Sequence, residues 1–151
     1  MLSTAFVAVA SLLLGANALP AENDASVERR AVTAEGVHMV NCIGNSDTSE
    51  LVYCSNDGSC TGPVPSSSNI CVMGVNFLFT WEGSPQGCTF PSGTKFNWSI
   101  NADAQDQPNY SLVGTGSNPY HNFNCYKDDQ HTLFTSNGQT CKSIYYCLDS
   151  N

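Results

Sequence analysis

Short runs of alternating apolar and polar residues, separated by clusters of Gly, Pro, Ser, Asn and Asp, make up most of this chain. Apolar spacing of three and four never persists long enough to predict a helix. The clearest run is 94–100 (TKFNWSI), which sends Phe96, Trp98 and Ile100 to one face and Lys95, Asn97 and Ser99 to the other. The run 35–42 (EGVHMVNC) carries Val37, Met39 and Asn41 on one face and His38, Val40 and Cys42 on the other. Both faces are partly apolar, as in an inner strand. A turn cluster, IGNSDTS, separates it from a second strand over 50–55, and the two are expected to pair as a meander. The stretch 61–69 (TGPVPSSSN) reads as a loop bracketed by Cys60 and Cys71, with a bridge there or nearby limiting its freedom. The apolar run 71–81 (CVMGVNFLFTW) reads as a strand on its Val, Phe, Thr and Trp content, with Gly74 marking a bulge or a close backbone approach. A short piece follows at 88–90, then a short strand at 110–113, a Gly-Ser-Asn-Pro turn expected over 114–119, and the stretch 123–126 leading into the final hairpin.

The last segment, 131–147, is the strongest local signal. Asn137-Gly138 accepts positive φ at both central turn positions and closes a two-residue hairpin. Ser136 should then oppose Gln139, Phe134 oppose Cys141 and Leu133 oppose Lys142. Strict alternation puts Thr132, Phe134, Cys141, Ser143, Tyr145 and Cys147 on a core face. His131, Leu133, Ile144 and Tyr146 fall on the other, which is too apolar for solvent alone: it is either covered by a second layer or a binding surface. The predicted fold is all-β, a small disulfide-stapled β-sandwich or barrel-like fold with a C-terminal hairpin.

Residues 1–18 read as a signal peptide. The apolar run 6–14 is too short for a membrane span, and Ala16-Asn17-Ala18 forms a small-x-small cleavage site ending at Ala18, although no Lys or Arg precedes the run. Residues 19–30 read as an acidic pro-segment ending in a dibasic, kexin-type site at Arg29-Arg30, the only arginines in the chain. A single cysteine-rich domain, 31–151, remains, with three lysines, ten acidic residues and a net charge of −7. That charge disfavours nucleic-acid backbones and anionic membranes. All eight cysteines lie in this part: Cys42, Cys54, Cys60, Cys71, Cys88, Cys125, Cys141 and Cys147. An even count behind a signal peptide, with no Cys-x-x-Cys pair, predicts four disulfides rather than a zinc site, and leaves the pairing open. The expected product is secreted, extracellular and monomeric, with no metal or cofactor. Asn97 and Asn109 stand in N-glycosylation sequons, and alternation puts Asn97 on the solvent side.

Candidate chemistry is sparse. His121 and His131 could act as acid and base of a small secreted nuclease-like hydrolase with Lys127 as the cation, but few cations are left to hold a phosphate. Asp103, Asp106, Asp128 and Asp129 do not follow a calcium-loop spacing, and Glu82 lacks the cleft a paired-carboxylate glycosidase needs. No catalytic constellation emerges. Among the aromatics, Trp81, before a Glu-Gly turn, and Tyr120, after Pro119, are the candidates for exposed binding contacts.

The segments GVHMVNC, TWEG, HNFNCYKDD and SIYYC, with the processing signals and eight cysteines, resemble small cysteine-rich secreted proteins of filamentous fungi. That resemblance carries no catalytic residue. It implies an effector-type protein that binds a host protein or a cell-wall glycan, or alternatively an antimicrobial or killer-type toxin.

Overall fold

The computed structural model describes residues 34–150, so the signal peptide and the pro-segment with its dibasic site lie outside the described residues. Nine antiparallel strands follow one another: β1 (Gly36–Ile43), β2 (Thr48–Cys54), β3 (Ile70–Val75), β4 (Gln86–Thr89), β5 (Lys95–Ile100), β6 (Leu112–Ser117), β7 (Asn122–Lys127), β8 (Thr132–Ser136) and β9 (Gln139–Asp149). They form one sheet in the order β3-β2-β1-β9-β7-β6-β5-β4, with β8 paired to β9 off this path. The Cys71–Cys88 disulfide joins the two end strands, and the sheet curls into a nearly closed barrel. The fold is therefore all-β and barrel-like, as the alternation predicts, and helical structure among the described residues is limited to short 3₁₀ turns.

β9 organises the sheet. One edge runs along β1 from Thr140 to Leu148; the other is shared, with β8 on its first four residues and β7 on 145–149. Two disulfides cross it, each between residues directly opposite in register: Cys42–Cys141 to β1 and Cys125–Cys147 to β7. The remaining bridge, Cys54–Cys60, closes the turn after β2. Cys60 and Cys71 thus bracket the 61–69 loop without bonding to each other.

Strict alternation in the hairpin breaks at two bulges. Met39 pairs with Tyr145 and Val40 with Ser143, so Ile144 is an extra residue on β9; on β8 the register slips between Thr132 and Phe134. An extra residue reverses which face every later side chain takes. Phe134 and Cys141 therefore enter one core cluster, while Tyr145 and Cys147 enter another. Thr132, expected inside, is exposed, and Lys142 pairs with Thr132 instead of Leu133. The other face is covered rather than free, since Leu133 and Tyr146 are both buried.

The larger cluster fills the barrel with Val37, Met39, Leu51, Phe96, Trp98, Ile100, Phe123 and Tyr145. The smaller one, Val40, Cys42, Val52, Cys54, Cys60, Leu133, Phe134 and Cys141, lies on the outer face of β1 and β2. Both faces of β1 are consequently buried, the two-sided pattern its sequence displays. β5 alternates buried and exposed without exception. The expected turn over 114–119 is instead mostly strand. Gly114 and Gly116 are there because their neighbours on β5 need the space: a Cβ at Gly116 would lie 2.4 Å from Phe96 Cζ, and one at Gly114 would lie 2.2 Å from Ser99 O. β3 stops at Val75, short of the predicted 71–81, because Asn76 takes positive φ. Its register slips beside Gly74, whose Cβ position is approached by Phe77 O at 2.8 Å.

One end of the barrel is plugged. Trp81 and Phe79 pack edge to face there, and Trp81 Nε1 donates to Asn41 Oδ1 at 3.2 Å. Gly83 N–H donates to Ile100 O, tying the plug to β5. The Tyr145 hydroxyl, from within the barrel, donates to Glu82 Oε1 at 2.5 Å and accepts from Gln105 Nε2 at 2.8 Å. Burial, then the hydrogen bond and charge of Glu82, hold this phenol far above its ordinary value, with Gln105 opposing. The unfolded chain loses that proton near pH ~10 while the folded chain keeps it, so the folded state binds more protons and stability falls as pH rises. Urea melts should thus show a plateau below pH ~10 and declining stability above it. Tyr145→Phe should flatten part of that decline while costing about 1 kcal/mol at neutral pH. An unchanged alkaline slope in the variant would contradict the assignment.

Candidate functional site

The end opposite the plug is open. The start of β1 (Glu35, Val37), the end of β2 (Tyr53), the turn before β3 (Ser68, Asn69), the β4–β5 turn (Phe90, Ser92, Thr94) and the β6–β7 turn (Asn118, Tyr120, His121) converge there around a cavity of about 250 Å³. Antiparallel strands bring alternate starts and ends to one rim, which is why residues so far apart in sequence meet. The mouth of a small barrel is a habitual place for a ligand, and this cavity lies just below the ~300 Å³ at which drug-sized sites begin.

Its walls combine aromatic faces with polar groups. Phe90 and Phe96 are buried at the base, and Tyr53 meets Phe90 edge on, ring centroids 6.3 Å apart. Tyr120 stands at the rim, 76% exposed. Burial, then the charge of Glu35, push the Tyr53 phenol up, so it stays a neutral hydroxyl at physiological pH. His121 lies between two carboxylates: Asp149 Oδ2 is 3.0 Å from Nδ1, and Glu35 Oε2 is 3.8 Å from Nε2. Asn118 Nδ2 donates to Glu35 Oε1 at 3.2 Å, and Asn118 Oδ1 accepts the N–H groups of Tyr120 and His121, which shapes the turn carrying both. No lysine or arginine lines the cavity.

A second, smaller cavity of about 100 Å³ lies outside the barrel, lined by His38, Asp57, Gly58, Thr61, Asp128, His131 and Tyr146. His38 Nε2 lies 2.9 Å from Asp57 Oδ1 and Nδ1 lies 2.8 Å from Ser143 Oγ. Asp128 Oδ2 is 4.0 Å from the same ring, and Asp128 Oδ1 is 3.4 Å from His131 Nδ1. Ser, His and Asp are the groups of a nucleophilic triad, but Ser143 is completely buried, so no substrate reaches its hydroxyl. The arrangement satisfies buried polar groups of β1, β9, the turn at Asp57 and the chain after β7, and joins them.

Among the sequence-derived candidates, Tyr120 is exposed at the mouth. Trp81 is not: it is 1% exposed inside the plug, because the chain after the short β3 folds back over the barrel end. His121 and His131 sit at opposite ends of β7 and face different carboxylates, Glu35 and Asp149 for one, Asp128 and Asp129 for the other. Lys127 Nζ donates to the main-chain oxygens of Gln105 and Gln107, at 2.5 and 2.7 Å, and so secures a loop. Glu82 is engaged with Tyr145 and Gln105. Asp103 and Asp106 are exposed, whereas Asp128 is buried against His131. Asn97 and Asn109, the sequon residues, are both exposed; Asn97 borders a broad, open depression over the outer face of β4–β7. Glu35, Tyr53, Phe90 and His38 carry no local sequence signal of their roles, since register alone assembles them.

Three groups among the described residues have potential ligand atoms within 4.8 Å of one another: Glu35/His121/Asp149, Asp128/Asp129/His131 and His38/Cys54/Cys60. In the first two, a carboxylate approaches the imidazole Nδ1 to 3.0 Å or less, an ion-pair geometry that needs no cation to explain it. The grouping of His38 with Cys54 and Cys60 offers no thiolate, because those cysteines are bonded to each other. No known protein family, curated protein or solved structure significantly matches this chain.

If the His38 network is structural, His38→Ala should cost about 3–5 kcal/mol by stranding buried Asp57, and Ser143→Ala about 1–3 kcal/mol. Thermal or urea melts measure both. A fully stable His38→Ala protein would remove the structural assignment.

Proposed function

We propose that this chain is a secreted, effector-type binding protein that acts without catalysis, holding a host or cell-wall component at the open mouth of its barrel. The observation that supports this reading best is the cavity itself: preformed, walled by Tyr53, Phe90 and Tyr120, and edged by the hydrogen-bonding side chains of Ser68, Asn69, Asn118 and His121. Aromatic faces against which a ring packs, with carboxylate, amide and hydroxyl groups at the edge, suit a sugar residue, and the volume suits one ring or a chain end. Four disulfides fit an extracellular setting, and no helix among the described residues is long and apolar enough to cross a membrane. A hydrolase using His121 with His131 gains nothing from the geometry, because the two face separate clusters.

Titrating the oxidised protein with short cell-wall oligosaccharides, followed by NMR, tests the reading. Saturable shifts are expected at Tyr53, Tyr120 and His121, and Tyr120→Ala should weaken binding by about tenfold while leaving the fold intact. Shifts confined to other surfaces, or a Tyr120→Ala protein that binds as before, would refute it.

A further inference from the structure

We propose that Asn97 carries an N-linked glycan and that the first sugars of that glycan lie along the outer face of β4–β7; this rests on the secreted reading above and not on what the mouth binds. Asn97 opens the sequon Asn97-Trp98-Ser99 within β5, where alternation turns Asn97 and Ser99 outwards and Trp98 into the barrel. Register then surrounds it with small residues. Asn97 pairs with Gly87 on β4 and with Ser117 on β6, and Ser117 pairs with Asn122 on β7. The next outward row is Ser99, Thr115 and Asn124. Gly87 makes the space for the asparagine: a Cβ there would lie 2.6 Å from Asn97 Oδ1. Because no large side chain stands on these two rows, the face is sunk into a depression of about 770 Å³.

The chemistry of this face fits an occupant that is already attached. Lys95 is the one charged residue lining it, and the rows themselves carry only hydroxyls and amides. The side chains of Asn97, Ser99, Thr115, Ser117, Asn122 and Asn124 make no hydrogen bond to another group among the described residues. Such groups can donate to and accept from the hydroxyl and acetamido groups of a sugar. The aromatics beneath, Trp98 and Phe123, are buried, so the face offers no exposed ring on which a free sugar would stack. A tether changes that balance. A sugar held on Asn97 meets the face at an effective concentration on the order of millimolar, and contacts too weak to capture a free sugar then suffice. Asn109, the other sequon residue, gives the contrast: it is exposed in the loop before β6 and does not line the depression, so a glycan there has no such bed. None of the row residues lines the mouth cavity, so the bed and the mouth are separate surfaces.

The test expresses the full chain in a glycosylating eukaryotic host and compares the secreted wild type, Asn97→Gln and Asn109→Gln. By intact mass, Asn109→Gln should keep a glycan and Asn97→Gln should lose one. In isotope-labelled Asn109→Gln, NMR should show cross-relaxation between protons of the first sugars on Asn97 and the side chains of Ser117, Asn122 or Thr115. A secreted Asn109→Gln protein without a glycan would overturn the proposal and leave the secreted reading standing. A glycan whose cross-relaxation stops at Asn97 itself would overturn the bed. If the chain stays in the cell unmodified, the secreted reading falls, and this proposal with it.

Discussion

The bulge at Ile144 on β9 is the constraint on which the remaining architecture depends. Around one inserted residue, Cys141 joins the outer cluster and Ser143 faces the same side beside His38, while Tyr145 and Cys147 enter the barrel interior. A single strand thereby serves two cores, and a disulfide fixes it in each. Without the inserted residue, Tyr145 and Cys147 would point away from the barrel, and the barrel would lose a central tyrosine and the Cys125 bridge. The Cys42–Cys141 bridge spans 99 residues of sequence, and closing so long a loop restricts the unfolded chain by about 4–5 kcal/mol on the chain-entropy account.

That rigidity matters for the mouth. The cavity rim is made of strand ends and turns from many parts of the described chain, and each is anchored close by: Asp149 at the end of β9, Glu35 immediately before β1, His121 immediately before β7. β1 and β7 are the strands to which β9 is bonded by disulfides. A pocket built this way loses little conformational freedom when a ligand enters. The opposite end is closed by Trp81 and by the Tyr145–Glu82–Gln105 hydrogen bonds, so the barrel has a single open mouth among the described residues.

Much of the fold was legible in the sequence because alternation is a local property. β5, the two-sided β1, the β1–β2 meander and the Asn137-Gly138 hairpin follow directly from it. Failures came where a residue's neighbours, not its own preferences, decide. Gly114 and Gly116 look like turn residues but sit in β6 to admit Phe96 and Ile100. Ile144 looks like an ordinary strand residue, and nothing local marks it as inserted. Trp81 follows an apolar run and precedes a turn, yet its segment folds over the barrel end as the plug. The site was less legible still: Tyr120 and His121 stood out, but Glu35, Tyr53, Phe90 and Asp149 join them only through sheet register.

The forked role of β9 is most directly tested by the disulfide map. Lysines fall so that tryptic cleavage of the unreduced, denatured protein gives fragments 31–95, 96–127, 128–142 and 143–151, with Cys141 and Cys147 separated at Lys142. The account predicts two separate linked species by mass: 31–95 joined to 128–142 through Cys42–Cys141, and 96–127 joined to 143–151 through Cys125–Cys147. A bond between 128–142 and 143–151, or between 31–95 and 143–151, would contradict it, because Cys141 and Cys147 would then not belong to the two cores assigned to them.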